Sequence, residues 1–254
     1  MGTKRFSTRP LQIPGLALAV VLAAASAVLA QSAPPKPYKA VTVTPPAPVN
    51  DPALDALRKQ AGEAAQKKDR AALASLVVAQ GFFWQRDGRD RADKRKSGLD
   101  NLTTALSLNN KGGAGWDILY SYTDDPTASP SSAFKGALCA PGEPSHNAAA
   151  FAELLKSTQS DVSEWGYTLS PATEVHEKAQ ASAPVVEKLA PMFVRVSPDK
   201  ALGSAAYQRI IMPSGKAGFV TIDAVAPLGS DQLCYVKDGG NWKIGGYIGG
   251  GESQ

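Results

Sequence analysis

Apolar residues recur at helical spacing downstream of Asn50-Asp51-Pro52: Leu54, Leu57, Ala61, Ala64 and Ala65 fall on one side of a helical wheel. Asp51 or Asn50 offers a side-chain acceptor to the first free amides, and Pro52 fits the first helical position, where no donor is needed. Asp69 then caps a second helix with Leu73, Leu76 and Val77 on its face. A bulky patch, Phe82-Phe83-Trp84, precedes a polar run from Gln85 to Ser97. The spacing predicts a third helix over 98–108, with Leu102, Ala105 and Leu106 inward and the turn at Asn109 to Gly113 closing it. Trp116, Leu119 and Tyr120 repeat the helical period before Pro126 and Pro130 break it. Asn147 to Thr158 forms another amphipathic stretch through Phe151, Leu154 and Leu155. Residues 51–160 therefore read as a mostly helical module.

From Trp165 the period changes. Val175, Val185-Val186, Leu189, Phe193 to Val196, Tyr207 to Ile211, Gly218 to Val220 and Cys234 to Val236 are short β-type segments divided by turns. Such spacing suits a small barrel over 166–250. Its tail reads as a hairpin turned at Lys237-Asp238-Gly239-Gly240, with Trp242 and Tyr247 facing a core or a partner. The fold class expected is α+β, a helical module followed by a small β-barrel.

The first thirty residues carry Lys4, Arg5 and Arg9 ahead of an apolar run from Leu16 to Leu29, with Val28 and Ala30 as small residues before a cut. This is the pattern of a secretory signal peptide over 1–30 and implies a transient encounter with the membrane through that segment alone. Residues 31–50 hold six prolines and read as an extended tether. Periplasmic or secreted placement follows. It also makes Cys139 and Cys234, the two cysteines of the chain, a candidate disulfide.

Charge narrows the function. The formal net charge is +4, but three of the 27 Lys and Arg lie in the signal, leaving 24 against 23 Asp and Glu. That removes the concentrated positive surface nucleic-acid binding needs. Asp87, Asp90 and Asp93 interleave with Arg86, Arg89, Arg91, Lys94, Arg95 and Lys96, a spacing that suits a mutually neutralising loop and not a hard-cation site. His146 and His176 lie 30 residues apart with no further zinc ligands evident. Glu164 and Glu187 have no evident partner, no Gly-x-Ser-x-Gly elbow occurs, and the terminal glycines precede no helix that would present amides to a phosphate. No catalytic residue, cofactor or metal site is assigned.

Two resemblances add to this reading. The capped helices and aromatic strand of residues 51–86 look like the start of the nuclear-transport-factor-2-like fold. The turn Pro213-Ser214-Gly215-Lys216 followed by Ala217-Gly218-Phe219-Val220, with Val175-His176 and Ala183 to Leu189 before it, resembles bacterial SH3-like (SH3b) domains over residues 166–229, with Tyr207 standing where that family has tryptophan. This second resemblance implies an interaction module for cell-wall peptide or another envelope protein. Tyr207, Phe219, Trp242 and Tyr247 are its candidate ligand-binding residues. The function expected is non-catalytic envelope binding. The alternatives are a small-molecule carrier or enzyme with a pocket at Phe82, Phe83, Trp84 and Trp116, and a purely structural envelope protein.

Overall fold

In the computed structural model, residues 36–197 and 206–249 are described; the signal-peptide reading at 1–30 lies outside them. The first ordered pieces come from the segment read as a tether. Val41 and Val43 alternate with threonines and are buried. Val43–Thr44 (β1) pairs antiparallel with Ser145–His146 (β6). The Val43 amide donates to Pro191 O and the Phe193 amide to Val41 O. Tyr38 donates its hydroxyl to Ile211 O. Residues 38–49 are thus a strap laid along the fold: proline removes donors, but two valines at a strand period suffice to dock it.

Asp51 caps Pro52–Lys67 (α1) as its composition predicts, accepting from the Ala53 and Leu54 amides. Asp69 does the same for Arg70–Ala74 (α2) through the Ala72 amide, and Ser97 caps Gly98–Ala105 (α3) through the Asp100 amide. Ala114–Asp124 (α4) follows. The buried faces of these four helices cover Phe83–Arg86 (β2), Arg89–Asp90 (β3), Ser129–Pro130 (β4), Leu138–Ala140 (β5), Gln232–Asp238 (β14) and Asn241–Ile248 (β15). Those strands form one six-stranded sheet in the order β3-β2-β15-β14-β5-β4, with β2 and β15 parallel and the other pairs antiparallel. Leu54, Leu73, Leu102 and Leu119 from the helices meet Leu233, Tyr235 and Ile244 from the last hairpin.

The remaining strands are Trp165–Thr168 (β7), Thr173–His176 (β8), Val185–Leu189 (β9), Phe193–Ser197 (β10), Tyr207–Ile211 (β11), Ala217–Thr221 (β12) and Val225–Pro227 (β13). They make a seven-stranded sheet in the order β13-β7-β10-β11-β12-β8-β9. One side encloses Val175, Val194, Ile210 and Val220. Ala148–Thr158 (α5) and the strap bury Phe151, Leu154, Trp165 and Phe193 against each other.

This architecture corrects the expected fold class. Residues 51–160 are not a mostly helical module, and residues 166–250 do not close into an SH3-like barrel: β13 and β9 are the two ends of an open sheet. The helices are short and their apolar faces rest on strands, two of which arrive from residues 232–248. The tail does form the expected hairpin, yet it completes the six-stranded sheet. Amphipathic periodicity reports that a helix has a buried side and is silent about which element covers it. Among the described residues, no helix is long and apolar enough to cross a membrane.

Candidate functional site

The Cys139–Cys234 disulfide is closed and joins directly opposed residues of β5 and β14 across 95 positions of sequence. Beside it the chain leaves β5 through Pro141-Gly142-Glu143-Pro144, and the surroundings fix that loop tightly. Gln232, buried at the start of β14, donates its amide to Pro141 O at 2.7 Å. The Gly142 amide donates to Thr127 Oγ1 and the Glu143 amide to Ser129 Oγ. A Cβ on Gly142 would come within 2.8 Å of Pro46 on the strap, so only glycine lets the three segments meet.

Two cavities open on either side of this loop, both lined by Glu143 and Gln232. The first, about 400 Å³, is polar: Gln85, Asp87, Ser131 and Asp231 line it, with Cys139 on its wall. Gln85 Oε1 is buried there without a hydrogen-bond partner. Asp231 accepts the Tyr247 hydroxyl at 2.7 Å, and the Tyr122 ring lies beside that of Tyr247 with centroids 6.0 Å apart. Burial, with Asp231 and Tyr122 adding to it, holds the Tyr247 hydroxyl well above the ordinary tyrosine range, so it serves as a fixed donor.

The second cavity, about 360 Å³, is mostly apolar. Pro46, Pro126, Pro141, Leu169 and Pro227 wall it, and Asp125 and Glu143 bring carboxylates to it. Asp125 is held by accepting both the amide and the hydroxyl of Thr127 at 2.7 Å. Arg58, almost fully buried, pins the same segment by donating to Pro126 O and Thr127 O. Tyr167 completes the lining. Burial chiefly, and then the Asp125 and Glu143 carboxylates, raise its hydroxyl above the ordinary range.

The four aromatic residues expected to bind ligand do not gather into one groove. Tyr207 and Phe219 lie on β11 and β12, half-buried and on the same side as Arg209; Phe219 also pairs with His176, whose ring is edge-on to Tyr207 at 6.1 Å. Trp242 and Tyr247 belong to β15 in the other sheet. Trp242 donates its indole N–H to Asp51 Oδ2 at 2.8 Å with Lys237 over its ring. Tyr247 is core. Of the alternative pocket, Phe82, Phe83 and Trp116 are buried in packing clusters, and Trp84 donates its indole N–H to Gly249 O.

The acidic run is engaged within its own loop. Asp90 Oδ1 accepts from the Trp84 and Ala92 amides, and Asp93 pairs with Arg95. Buried Asn101 fastens this loop by accepting from the Asp93 amide and donating to Asp93 O. His146 is wedged edge-on between Phe151 and Phe193, and His176 Nδ1 lies 3.0 Å from Ala183 O. Glu164 has a partner that the sequence did not reveal, Arg195 at 2.5 Å. Among the described residues, no group of three or more His, Cys, Asp or Glu is gathered as for a metal ion.

Asp125, Glu143, Tyr167 and Gln232 were missed as site residues. The available signal was an acid set among prolines, in Asp125-Pro126 and Pro141-Gly142-Glu143-Pro144, where a rigid backbone presents a charge. Comparison with known proteins returns no match: no protein-family model, no curated protein and no solved structure is similar to this chain.

Proposed function

We propose that this protein is a non-catalytic binding protein of the bacterial cell envelope, acting in the periplasm or after secretion, and that its ligand is a cell-wall peptide held in the cleft at Glu143 and Gln232. The observation that carries this reading is the pair of cavities meeting at those two residues, one polar and one apolar. A wall peptide presents polar amide groups beside short alkyl side chains, and such a ligand needs both kinds of lining. The disulfide fits an oxidising compartment. Buried, uncommitted Gln85 Oε1 is the acceptor a ligand N–H or O–H would satisfy. The nuclear-transport-factor-2-like resemblance at 51–86 belongs to the helix-covered sheet that carries the polar cavity. A second reading seats another envelope protein on the β11–β12 face, where Tyr207, Phe219, Arg209 and His176 lie together.

The test is retention of the disulfide-closed protein on purified peptidoglycan sacculi at low salt. Retention is expected, weakened about five- to tenfold by Gln85→Met, which removes one uncommitted amide of similar shape. No retention, or retention indifferent to Gln85→Met and abolished by Phe219→Ser, overturns the cleft as the wall-binding site.

A further inference from the structure

We infer that the apolar cavity is a subsite for an aliphatic ammonium group, the charged end of an alkyl arm; this rests on the reading of the cleft as a binding site and names the chemistry of one half of its ligand. The cavity lining contains two carboxylates, Asp125 and Glu143, and no Lys, Arg or His. Arg58 holds the neighbouring carbonyls but is not part of the lining. Glu143 makes no ion pair or side-chain hydrogen bond among the described residues. Asp125 is fixed through Oδ1 alone.

An independent feature points to the same ligand. Tyr167 is only 4% exposed and lines this cavity, yet its hydroxyl has no hydrogen-bond partner among the described residues. The hydroxyl oxygen itself is open to the cavity and not sealed off, so an incoming donor can meet it there. An ammonium group brings three N–H donors, which match two carboxylates and the oxygen of a phenol. The proline and leucine walls suit the methylenes behind it, since an alkyl arm gains from apolar contact while its charged head finds counter-charge. A planar guanidinium asks for a forked, bidentate partner, and a carboxylate or phosphate would meet two like charges.

The probes are Nα-acetyl-lysine amide, its Nε-acetylated counterpart, which lacks the charge and is two chain atoms longer, and 1,5-diaminopentane, each titrated calorimetrically into the disulfide-closed protein. The lysine derivative is expected to bind about tenfold more tightly than the acetylated one, roughly the 1.4 kcal/mol of one half-buried charge contact. Asp125→Asn with Glu143→Gln should erase that preference; Asn keeps the acceptor for Thr127, and Glu143 is exposed, so the fold is spared. Tyr167→Phe should lower affinity a few-fold. A diamine that binds as well as the lysine derivative assigns the subsite to free diamines, and a weaker diamine assigns it to a peptide-borne amine. Equal binding of charged and acetylated probes, or a preference untouched by the double substitution, overturns the inference. Sacculus retention reads separately: retention without amine preference sinks the subsite alone, and amine preference without retention sinks the wall-peptide reading alone.

Discussion

Gly246 to alanine tests the packing that brings the last hairpin beneath the helices. Gly246 sits opposite Phe83 in the parallel β15–β2 pair. A Cβ there would lie 2.3–2.5 Å from three atoms of the Phe83 ring, against an ordinary carbon contact of about 3.5–4.0 Å. Relief requires the ring to move more than about 1 Å, and it has nowhere to go: Phe83 is buried and stacks on Phe134 with centroids 3.6 Å apart and planes 13° from parallel. Overpacking of this kind costs about 1–3 kcal/mol. The alanine recovers about 0.5–1 kcal/mol, because Gly246 is not at positive φ and glycine is entropically poor in a strand. A net loss of about 1–2 kcal/mol is expected in urea denaturation, as a lower midpoint with unchanged slope. Phe134→Ala opens the space behind the ring, so the double variant should lose less than the two single variants together by about 0.5 kcal/mol or more. A wild-type midpoint for Gly246→Ala, or strict additivity in the double variant, would refute the argument.

Two further outcomes follow from the same strands. Replacing both Cys139 and Cys234 by alanine frees a loop of 95 positions, and the chain-entropy model puts the loss at about 4–5 kcal/mol, read by denaturation of oxidised wild type against the variant; a loss under about 1 kcal/mol would show that the β5–β14 pairing carries the connection unaided. The Asp51 carboxyl is held below the ordinary aspartate range, first by the Trp242 indole N–H, then by the Leu54 amide, with the Ala53 amide and Lys237 contributing less. A depressed folded-state value means the contribution is full above the unfolded value and is lost as pH falls through the folded one, so stability should decline as pH drops below about 4. Asp51→Asn should flatten that part of the pH–stability curve, and an unchanged acid slope counts against the Trp242 anchor.

What the sequence made legible was local. Caps at Asp51 and Asp69 act through the next few amides, so their effect is written within four residues of the signal. The β14–β15 hairpin was equally readable, since Gly239 and Gly240 both take the positive φ such a turn demands. Its destination was not, because strand alternation is the same whichever sheet the strand joins. The strap shows the opposite error: proline frequency outweighed the two valines at 41 and 43, although two buried side chains and a few backbone hydrogen bonds are enough to order a short segment. Glu164 and Arg195 were read apart for the same reason, being 31 positions distant and brought together by the β7–β10 pairing.

The cleft is the extreme case, and its construction explains why. Its acids come from the end of α4 and the loop after β5, its phenol from β7, and its buried amide from the start of β14. No two of these elements share a sequence period, and their convergence depends on β14 returning about 90 positions later to pair with β5. The aromatic residues that attract attention in the sequence mostly satisfy packing, as Phe83 and Tyr247 do, because large rings gain most from burial. A site built from carboxylates, prolines and one phenol gains nothing from being contiguous. What it needs is a rigid frame: the Cys139–Cys234 bond and the Gln232–Pro141 contact supply it for the Glu143 loop, and the Arg58 clamp for the Pro126–Thr127 segment beside Asp125. Rigidity matters here because an Asp125 carboxylate and a Glu143 backbone set in place before a cation arrives lower the ordering cost that acids on mobile loops incur on binding.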